Sequence, residues 1–302
     1  MYDVIILGGG AAGLAAALYA RRYGLGALLL EELYLGGQII NTTEIENYPG
    51  FPSPISGVDL INEFETQARL YSPDIVYEAV TGVNLIGPVK KVQTSEREYE
   101  CQCVIAATGQ TPRELGLARE KELRGFGVSY CATCDGNFFR GKTVAVAGGG
   151  DTAVTEALFL SRICRKVYII HRRDSFRAAR AETDKLARTE NIEPVMGAQV
   201  AELLGGNRVD GVVAAQAGGA RRTLEVSALF IAIGSIPKSD LFKDTLDLDE
   251  YGYIVTDDDM LTNIPGVFAA GDVRKKNLRQ LITAAADGAV AAHSAMRYIE
   301  AN

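Results

Sequence analysis

The sequence predicts an α/β fold made of two parallel-sheet domains, and three observations carry that prediction. An apolar strand, a glycine turn, a small-residue helix and a second strand follow one another twice, near the start of the chain and again from Thr143. Two apolar runs, Val104–Gly109 followed by Pro112 and Leu229–Gly234 followed by Pro237, end alike in glycine and proline and read as crossings between domains. The chain has 302 residues, enough for about two domains at roughly 100–200 residues each.

Taken in order, Tyr2–Leu7 is the first strand, the helix runs from about Ala11 to Tyr23, and Ala27–Leu30 is the parallel partner strand. The second copy reads Thr143–Ala147 as strand, Gly148–Gly150 as turn, Ala153–Arg162 as helix and Lys166–Ile170 as strand. A chain that leaves its first domain near 110 and returns near 236 carries the second unit as an insertion. The expected boundaries are 1–112 with 240–302 for the outer domain and 113–239 for the inserted one.

Composition limits the partners. Apolar residues make up 47% and charged residues 23%, with no biased tract that would resist folding. The net charge of −7 argues against nucleic acid or an anionic membrane as the main partner. Val4–Ala20 is apolar enough to mimic a signal-peptide core, but Asp3 precedes it and Gly8, Gly9, Gly10 and Gly13 interrupt it. No other run approaches the ~18 apolar residues of a membrane span. The expectation is a cytoplasmic protein, in which thiols stay reduced and a cysteine pair is catalytic or metal-bound more often than structural.

Gly8-x-Gly10-x-x-Gly13 sits between strand and helix, as a dinucleotide fingerprint requires. The first glycine permits the turn, the second lets a pyrophosphate approach, and the third lets helix and strand close up. Glu31, at the end of the second strand, is placed to accept hydrogen bonds from a ribose. In the second copy, Gly148-x-Gly150-x-x-Ala153, the corresponding position is Arg172, within "HRRDSFR". A 2′-phosphate calls for guanidinium groups, so Arg172, Arg173 and Arg177 point to NADP(H) rather than NAD(H). His171 reads as a packed strand-end residue. The first fingerprint alone does not separate FAD from NAD. The segment "IPGVFAAGDVRKKNLRQLITAAADG" favours FAD, because Gly271-Asp272 places a carboxylate for sugar-alcohol hydroxyls and a helix starting near Arg279 aims its positive end at a flavin.

Five cysteines remain to be explained. Cys101, Cys103, Cys131 and Cys134 together could form a zinc site, but Cys101-Gln-Cys103 runs into a strand without a glycine knuckle and reads as two side chains on one strand face. Cys164 reads as structural. The C-x-x-C spacing of Cys131 and Cys134 suits a small disulfide that opens and closes with little backbone movement. Asp135, directly after it, could serve as proton donor and acceptor, although Asp-Gly is also a routine turn.

With these motifs in place, the sequence resembles the low-molecular-weight thioredoxin reductases, class II pyridine nucleotide-disulfide oxidoreductases. "GGQI", "TTEIENYPG", "ATG", "CATCDG", "GGGDTAVTEA", "HRRDSFRA", "IPGVFAAGDV" and "RQLITAAADG" occur in the family's order along essentially the whole chain. The resemblance implies two Rossmann-like domains of three-layer ββα type, with the NADPH domain inserted into the FAD domain. It also implies a homodimer, and electron flow from NADPH through FAD to the Cys pair and on to thioredoxin. Cys134 would lie against the flavin, Cys131 would attack the partner's disulfide, and Asp135 would act as acid and base. Flavin contacts would come from Gly8, Gly10, Ala11, Gly13, Glu31, Gly37, Gln38, Asn47, Val80, Thr108, Gly109, Gly271, Asp272, Arg279, Gln280 and Leu281. NADPH contacts would come from Gly148, Gly150, Asp151, Thr152, Arg172, Arg173 and Arg177.

Three positions depart from the family's pattern. Asn137 precedes Phe138 and Phe139 on the expected thioredoxin-docking surface, while Thr155 and Ser235 stand where Glu and His are frequent around the nicotinamide nucleotide. The nearest alternative is a same-fold NADPH–flavin reductase of a glutaredoxin-like or peroxidase-linked protein, which Asn137 keeps open. A ferredoxin–NADP reductase would not need the Cys pair, and a nucleotide-sensing module would need neither that pair nor a flavin. Because the Cys pair precedes the second fingerprint, it belongs to the inserted domain. The expectation is that this domain swivels about the two crossings between turnover steps.

Overall fold

The computed structural model describes residues 1–42 and 44–302; Thr43, within "TTEIENYPG", lies outside them. The chain forms two compact units, Met1–Thr111 with Ile236–Asn302, and Pro112–Ser235.

The first unit begins with β1 (Tyr2–Leu7), α1 (Ala11–Arg22) and β2 (Ala27–Glu31). It continues through α2 (Gly57–Arg69), β3 (Asp74–Tyr77), β4 (Val80–Asn84), β5 (Lys90–Thr94), β6 (Glu98–Ala106) and β7 (Gln110–Pro112). β2, β1 and β6 pair in parallel, with β5 and β4 added antiparallel at one edge. The central strands are almost wholly apolar because both sheet faces are covered. Val4, Ile6, Leu29 and Ile105 pack on one side with α1, whereas Ile5, Leu7, Leu28 and Val104 pack on the other with Phe242, Leu246 and Ile254.

The inserted unit contains β8 (Val128–Ser129), α3 (Ala132–Asp135), β9 (Thr143–Ala147), α4 (Asp151–Ser161), β10 (Lys166–His171), α5 (Arg180–Ala187) and β11 (Ile192–Met196). β12 (Ala198–Leu204), β13 (Gly211–Gln216), β14 (Arg221–Glu225) and β15 (Leu229–Ile231) complete it. Its parallel sheet has the order β11-β10-β9-β15-β8, and β12–β14 form a separate antiparallel layer. Val144, Val146 and Ile169 face α4, while Ala145, Ala147 and Ile170 face Val200, Val212 and Leu224 of the antiparallel layer. Period-two alternation thus divides each strand between two cores, giving the three-layer ββα arrangement.

The chain returns through β16 (Ser235–Pro237), which pairs with β7, and ends in β17 (Val267–Ala269) and α6 (Leu281–Ala301). β17 joins the first sheet beside β6, and α6 packs on α1. Ile236–Ser239 belongs to the first unit because its hydrogen bonds lie there. Lys238 N donates to Gly109 O (2.9 Å), Thr108 Oγ1 to Lys238 O (2.6 Å), and Ser239 Oγ to Gly252 O (2.6 Å). The return falls at Ile236, beside the Gly234–Pro237 crossing and four residues before the expected boundary at 240. Among the described residues, no helix is long and apolar enough to cross a membrane.

Candidate active site

The three glycines of the first fingerprint have different surroundings. Gly8 has φ +107°, and a β-carbon there would meet Ala107 O at 2.5 Å; at Gly13 it would lie 1.8 Å from Gly8 O. Both positions are closed by the protein's own backbone. At Gly10, the N-cap of α1, a β-carbon would meet nothing within 4 Å, and no side chain caps the helix. Free backbone N–H groups and the helix dipole therefore face an open cradle, the arrangement that binds a pyrophosphate. Ala11 is the first residue of α1, and the Gly36–Gly37 turn lies beside the cradle, with Gly36 N bonded to Gly9 O (2.8 Å).

Glu31 is already engaged: Oε2 accepts from Gly9 N (2.8 Å), and Oε1 accepts from Glu32 N (2.9 Å) and Leu33 N (3.3 Å). The carboxylate stiffens the cradle, and its remaining lone pairs are available to a ribose. At the other end of the unit, Gly271 N donates to buried Asp287, which also pairs with Lys276 at 2.8 Å. Asp272 Oδ1 and Arg279 Nε are buried without a hydrogen-bond partner. Native proteins rarely leave such atoms unsatisfied, so both atoms fit a polar ligand. Burial raises the Asp272 pKa from its ordinary value. The Arg279 guanidinium lies 4.0 Å from the centre of the Tyr253 ring, and Gln280 caps α6 just before Leu281 while accepting from Asn47 Nδ2 (3.2 Å). α6 starts at Leu281, two residues later than the sequence reading placed it. Val80, at the start of β4, packs against the second core cluster. This set fits FAD through an open pyrophosphate cradle and two orphaned polar atoms.

The second cradle repeats the arrangement. A β-carbon at Gly148 would meet Ala232 O at 2.3 Å, whereas at Gly150, the N-cap of α4, it would meet nothing within 4 Å. Asp151 accepts from Ala179 N (2.8 Å), and Thr152 is exposed beside it. Arg172, Arg173 and Arg177 are all exposed, and among the described residues none is in an ion pair. Three unpaired guanidinium groups fit a 2′-phosphate. His171 packs under Gly149 and stacks on Phe176 (5.8 Å, 18°), and burial lowers its pKa, so it supports the turn as a neutral ring.

Cys131 precedes α3 and Cys134 lies within it, and the two are joined as a disulfide. Cys131 is the N-cap: its Sγ accepts from Cys134 N (3.2 Å), and its carbonyl accepts from Asp135 N (3.1 Å). Asp135 accepts a hydrogen bond from Ser129 Oγ at 2.6 Å, and the same hydroxyl accepts from Cys131 N at 3.1 Å. Burial pushes the Asp135 pKa up against the Ser129 bond and the Arg124 charge. A carboxylate with raised proton affinity, one residue from the disulfide, can hold a proton for sulfur chemistry. Sequence reasoning missed Ser129 and Glu156. Glu156 accepts from Ala132 N (3.3 Å), and burial raises its pKa to about 7.

Cys101 and Cys103 are fully buried free thiols whose pKa burial raises to about 12. Cys103 packs in the helix-side cluster, and Cys101, opposite Lys90 where β5 meets β6, packs in the other. Cys164 is buried, with Sγ against Phe139 O at 3.4 Å. Among the described residues, no group of three or more His, Cys, Asp or Glu side chains is placed to hold a metal.

Two dinucleotide cradles and a redox-poised disulfide define a nucleotide-dependent disulfide oxidoreductase. The model of the pyridine nucleotide-disulphide oxidoreductase family matches residues 2–288. The chain is 44% identical over 309 residues to the thioredoxin reductase of Peptoclostridium acidaminophilum, covering 100% of this chain and 98% of that protein. It superposes on a thioredoxin reductase from Streptococcus pyogenes with TM-score 0.95 at 39% identity, covering 100% and 99% of the two chains. The Lactococcus lactis enzyme, described as in the FR conformation, gives 0.69 at 40% identity with both chains fully covered. The chain belongs to the pyridine nucleotide-disulphide oxidoreductase family, in its low-molecular-weight thioredoxin reductase branch.

Proposed function

We propose that this enzyme uses NADPH and FAD to reduce the disulfide of thioredoxin through Cys131 and Cys134. The observation that carries the proposal is the half-buried Cys131–Cys134 disulfide with Asp135 beside it, its carboxyl pKa raised by burial. NADPH supplies a hydride, which bound FAD converts into the electron pair that opens a disulfide. In the outer domain, Gly10 and the α1 N-terminus hold the flavin's pyrophosphate, Glu31 its ribose, and Asp272 and Arg279 its ribityl and ring end. Gly8 and Gly13 shape the turn, with Ala11, Gly37, Gln38, Asn47, Val80, Thr108, Gly109, Gly271, Gln280 and Leu281 lining the rest. In the inserted domain, Gly148, Gly150, Asp151 and Thr152 hold the NADPH pyrophosphate, and Arg172, Arg173 and Arg177 hold its 2′-phosphate. Cys131 attacks the partner disulfide as a thiolate, and Asp135 protonates the sulfur released. Cys134 then closes on Cys131, passing its proton to Asp135 as it does so.

Thioredoxin is favoured as the partner because a relative from Mycobacterium leprae, 42% identical, is a bifunctional thioredoxin reductase/thioredoxin. The inserted domain turns about β7 and β16 between steps, so that the nicotinamide and the disulfide reach the flavin alternately. The enzyme acts as a cytoplasmic homodimer, in keeping with three cysteines left as free thiols.

Anaerobic NADPH oxidation with a panel of small redox proteins tests the partner: turnover should be fastest with thioredoxin. Preference for a glutaredoxin-like protein would transfer the reading to that partner. Cross-linking the two domains should stop multiple turnover while flavin stays bound; unchanged turnover refutes the swivel.

A further inference from the structure

Glu156 sits in α4, the helix that begins at the second nucleotide cradle, and reaches the cysteine turn. Its Oε1 accepts from Ala132 N at 3.3 Å, and its Oε2 is buried with no hydrogen-bond partner. Ala132 is the first residue of α3, between the two cysteines. Anchoring one N–H needs only one acceptor, and a neutral amide would supply it. A buried carboxylate with a spare oxygen is costly to desolvate, so a purely structural anchor does not account for it. Asp135 lies at the other end of the same turn, and its charge bears on Glu156. Two interacting carboxylates at one redox turn titrate as a pair.

We infer that Glu156 is a positioning residue of the disulfide centre, anchoring the cysteine turn through Ala132 N–H and setting by its own charge how tightly Asp135 and the Cys131 thiolate hold a proton. This rests on the reading of Cys131–Cys134 as the redox centre. Opening that bond takes the two electrons of the proposed reaction and two protons, one of them left on Asp135 while Cys131 stays a thiolate. Attack forms a Cys131–partner disulfide, breaks the partner's own, and moves the Asp135 proton to the released sulfur. Cys134 next gives its proton to Asp135 and bonds to Cys131, and the second released sulfur takes that proton. An ionised Glu156 makes Asp135 a weaker acid in the first transfer and a stronger base in the second; a neutral Glu156 does the reverse.

The other titratable groups on elements packed against α4 are Lys166, Tyr168 and His171 on β10, Arg180, Glu182, Asp184 and Lys185 on α5, and Glu193 on β11. Lys166 is paired with Glu193 and Lys185 with Glu182, and the charge that bears on Glu156 is that of Asp135.

The test uses the full-length flavoenzyme, reduced with dithiothreitol and desalted anaerobically, with Cys131 alkylation by iodoacetamide followed by mass spectrometry across the neutral pH range. Wild type and Glu156→Gln should react alike where Glu156 is neutral. Above about pH 7 the Gln variant should run ahead, its midpoint lower by about one unit, or roughly tenfold more thiolate at a given pH. The Ala132 amide should exchange hydrogen faster in Glu156→Ala than in Glu156→Gln, which keeps the acceptor. Superimposable wild-type and Gln curves, or equal Ala132 protection in Ala and wild type, overturn the inference. The assay uses neither NADPH nor thioredoxin, so such a failure is distinct from failure of the proposed function.

Discussion

Replacing Gly10 by alanine should strip the enzyme of flavin at little cost to its fold, whereas the same change at Gly8 should weaken the fold itself. A methyl group at Gly10 meets no protein atom within 4 Å, and the backbone there (φ −75°, ψ −173°) is open to any residue. The helix loses about 0.5–1 kcal/mol from the cap change, since alanine is a poorer N-cap than glycine. The methyl group instead fills the space assigned to the pyrophosphate. At Gly8 the backbone is left-handed (φ +107°), a conformation that costs an alanine about 1–2 kcal/mol. The methyl group would also press on Ala107 O at 2.5 Å, adding about 1–3 kcal/mol of displacement. A loss of about 3 kcal/mol in Gly8→Ala is therefore expected, against about 1 kcal/mol or less in Gly10→Ala. Thermal melting of the flavin-free proteins measures stability, and the ratio of flavin absorbance to protein measures binding. Full flavin in Gly10→Ala, or a wild-type melt in Gly8→Ala, would refute the argument.

Alanine at both Arg172 and Arg173 should raise the KM for NADPH about 10–100-fold, from the loss of charge-assisted hydrogen bonds, and leave that for NADH unchanged; equal losses for both nucleotides would remove these residues from the 2′-phosphate. Serine at Cys131 or Cys134 should abolish thioredoxin reduction while flavin stays bound, as measured by NADPH oxidation and absorbance. Burial raises the Glu156 pKa from 4.5 to about 7, so between those values the folded state keeps a proton that the unfolded chain releases, and stability falls as pH rises. Glu156→Gln should melt like wild type near pH 4 and exceed it by up to about 3 kcal/mol above pH 7; parallel melting curves across that range would contradict this. Asp135 and Asp272, whose pKa values burial also raises, contribute with the same sign.

Much of the site was legible because its chemistry is local in sequence. The strand Tyr2–Leu7 and its glycine turn, the Gly148–Gly150 turn, the arginines after β10 and the C-x-x-C each occupy one short stretch with its own conformational demand. Helix ends were less legible: α6 starts at Leu281 because Gln280 and Thr283 form a reciprocal cap, which competes with the polar run before it. Ser129 and Glu156 gave no signal. Ser129 lies six residues before Asp135 and Glu156 twenty-four after Ala132, and only folding brings them to the cysteine turn.

The sequence by itself determined the two glycine turns that open helices, an arginine cluster in place of an acid after the second, and the sulfur pair, since glycine spacing, charge and C-x-x-C geometry are properties of neighbouring residues. Tertiary structure decided which glycines are closed and which open, because Ala107 and Ala232 approach from distant strands. It also decided the raised proton affinity of Asp135, Glu156 and Asp272, because the burial that penalises their charged forms exists only once the layers pack around them.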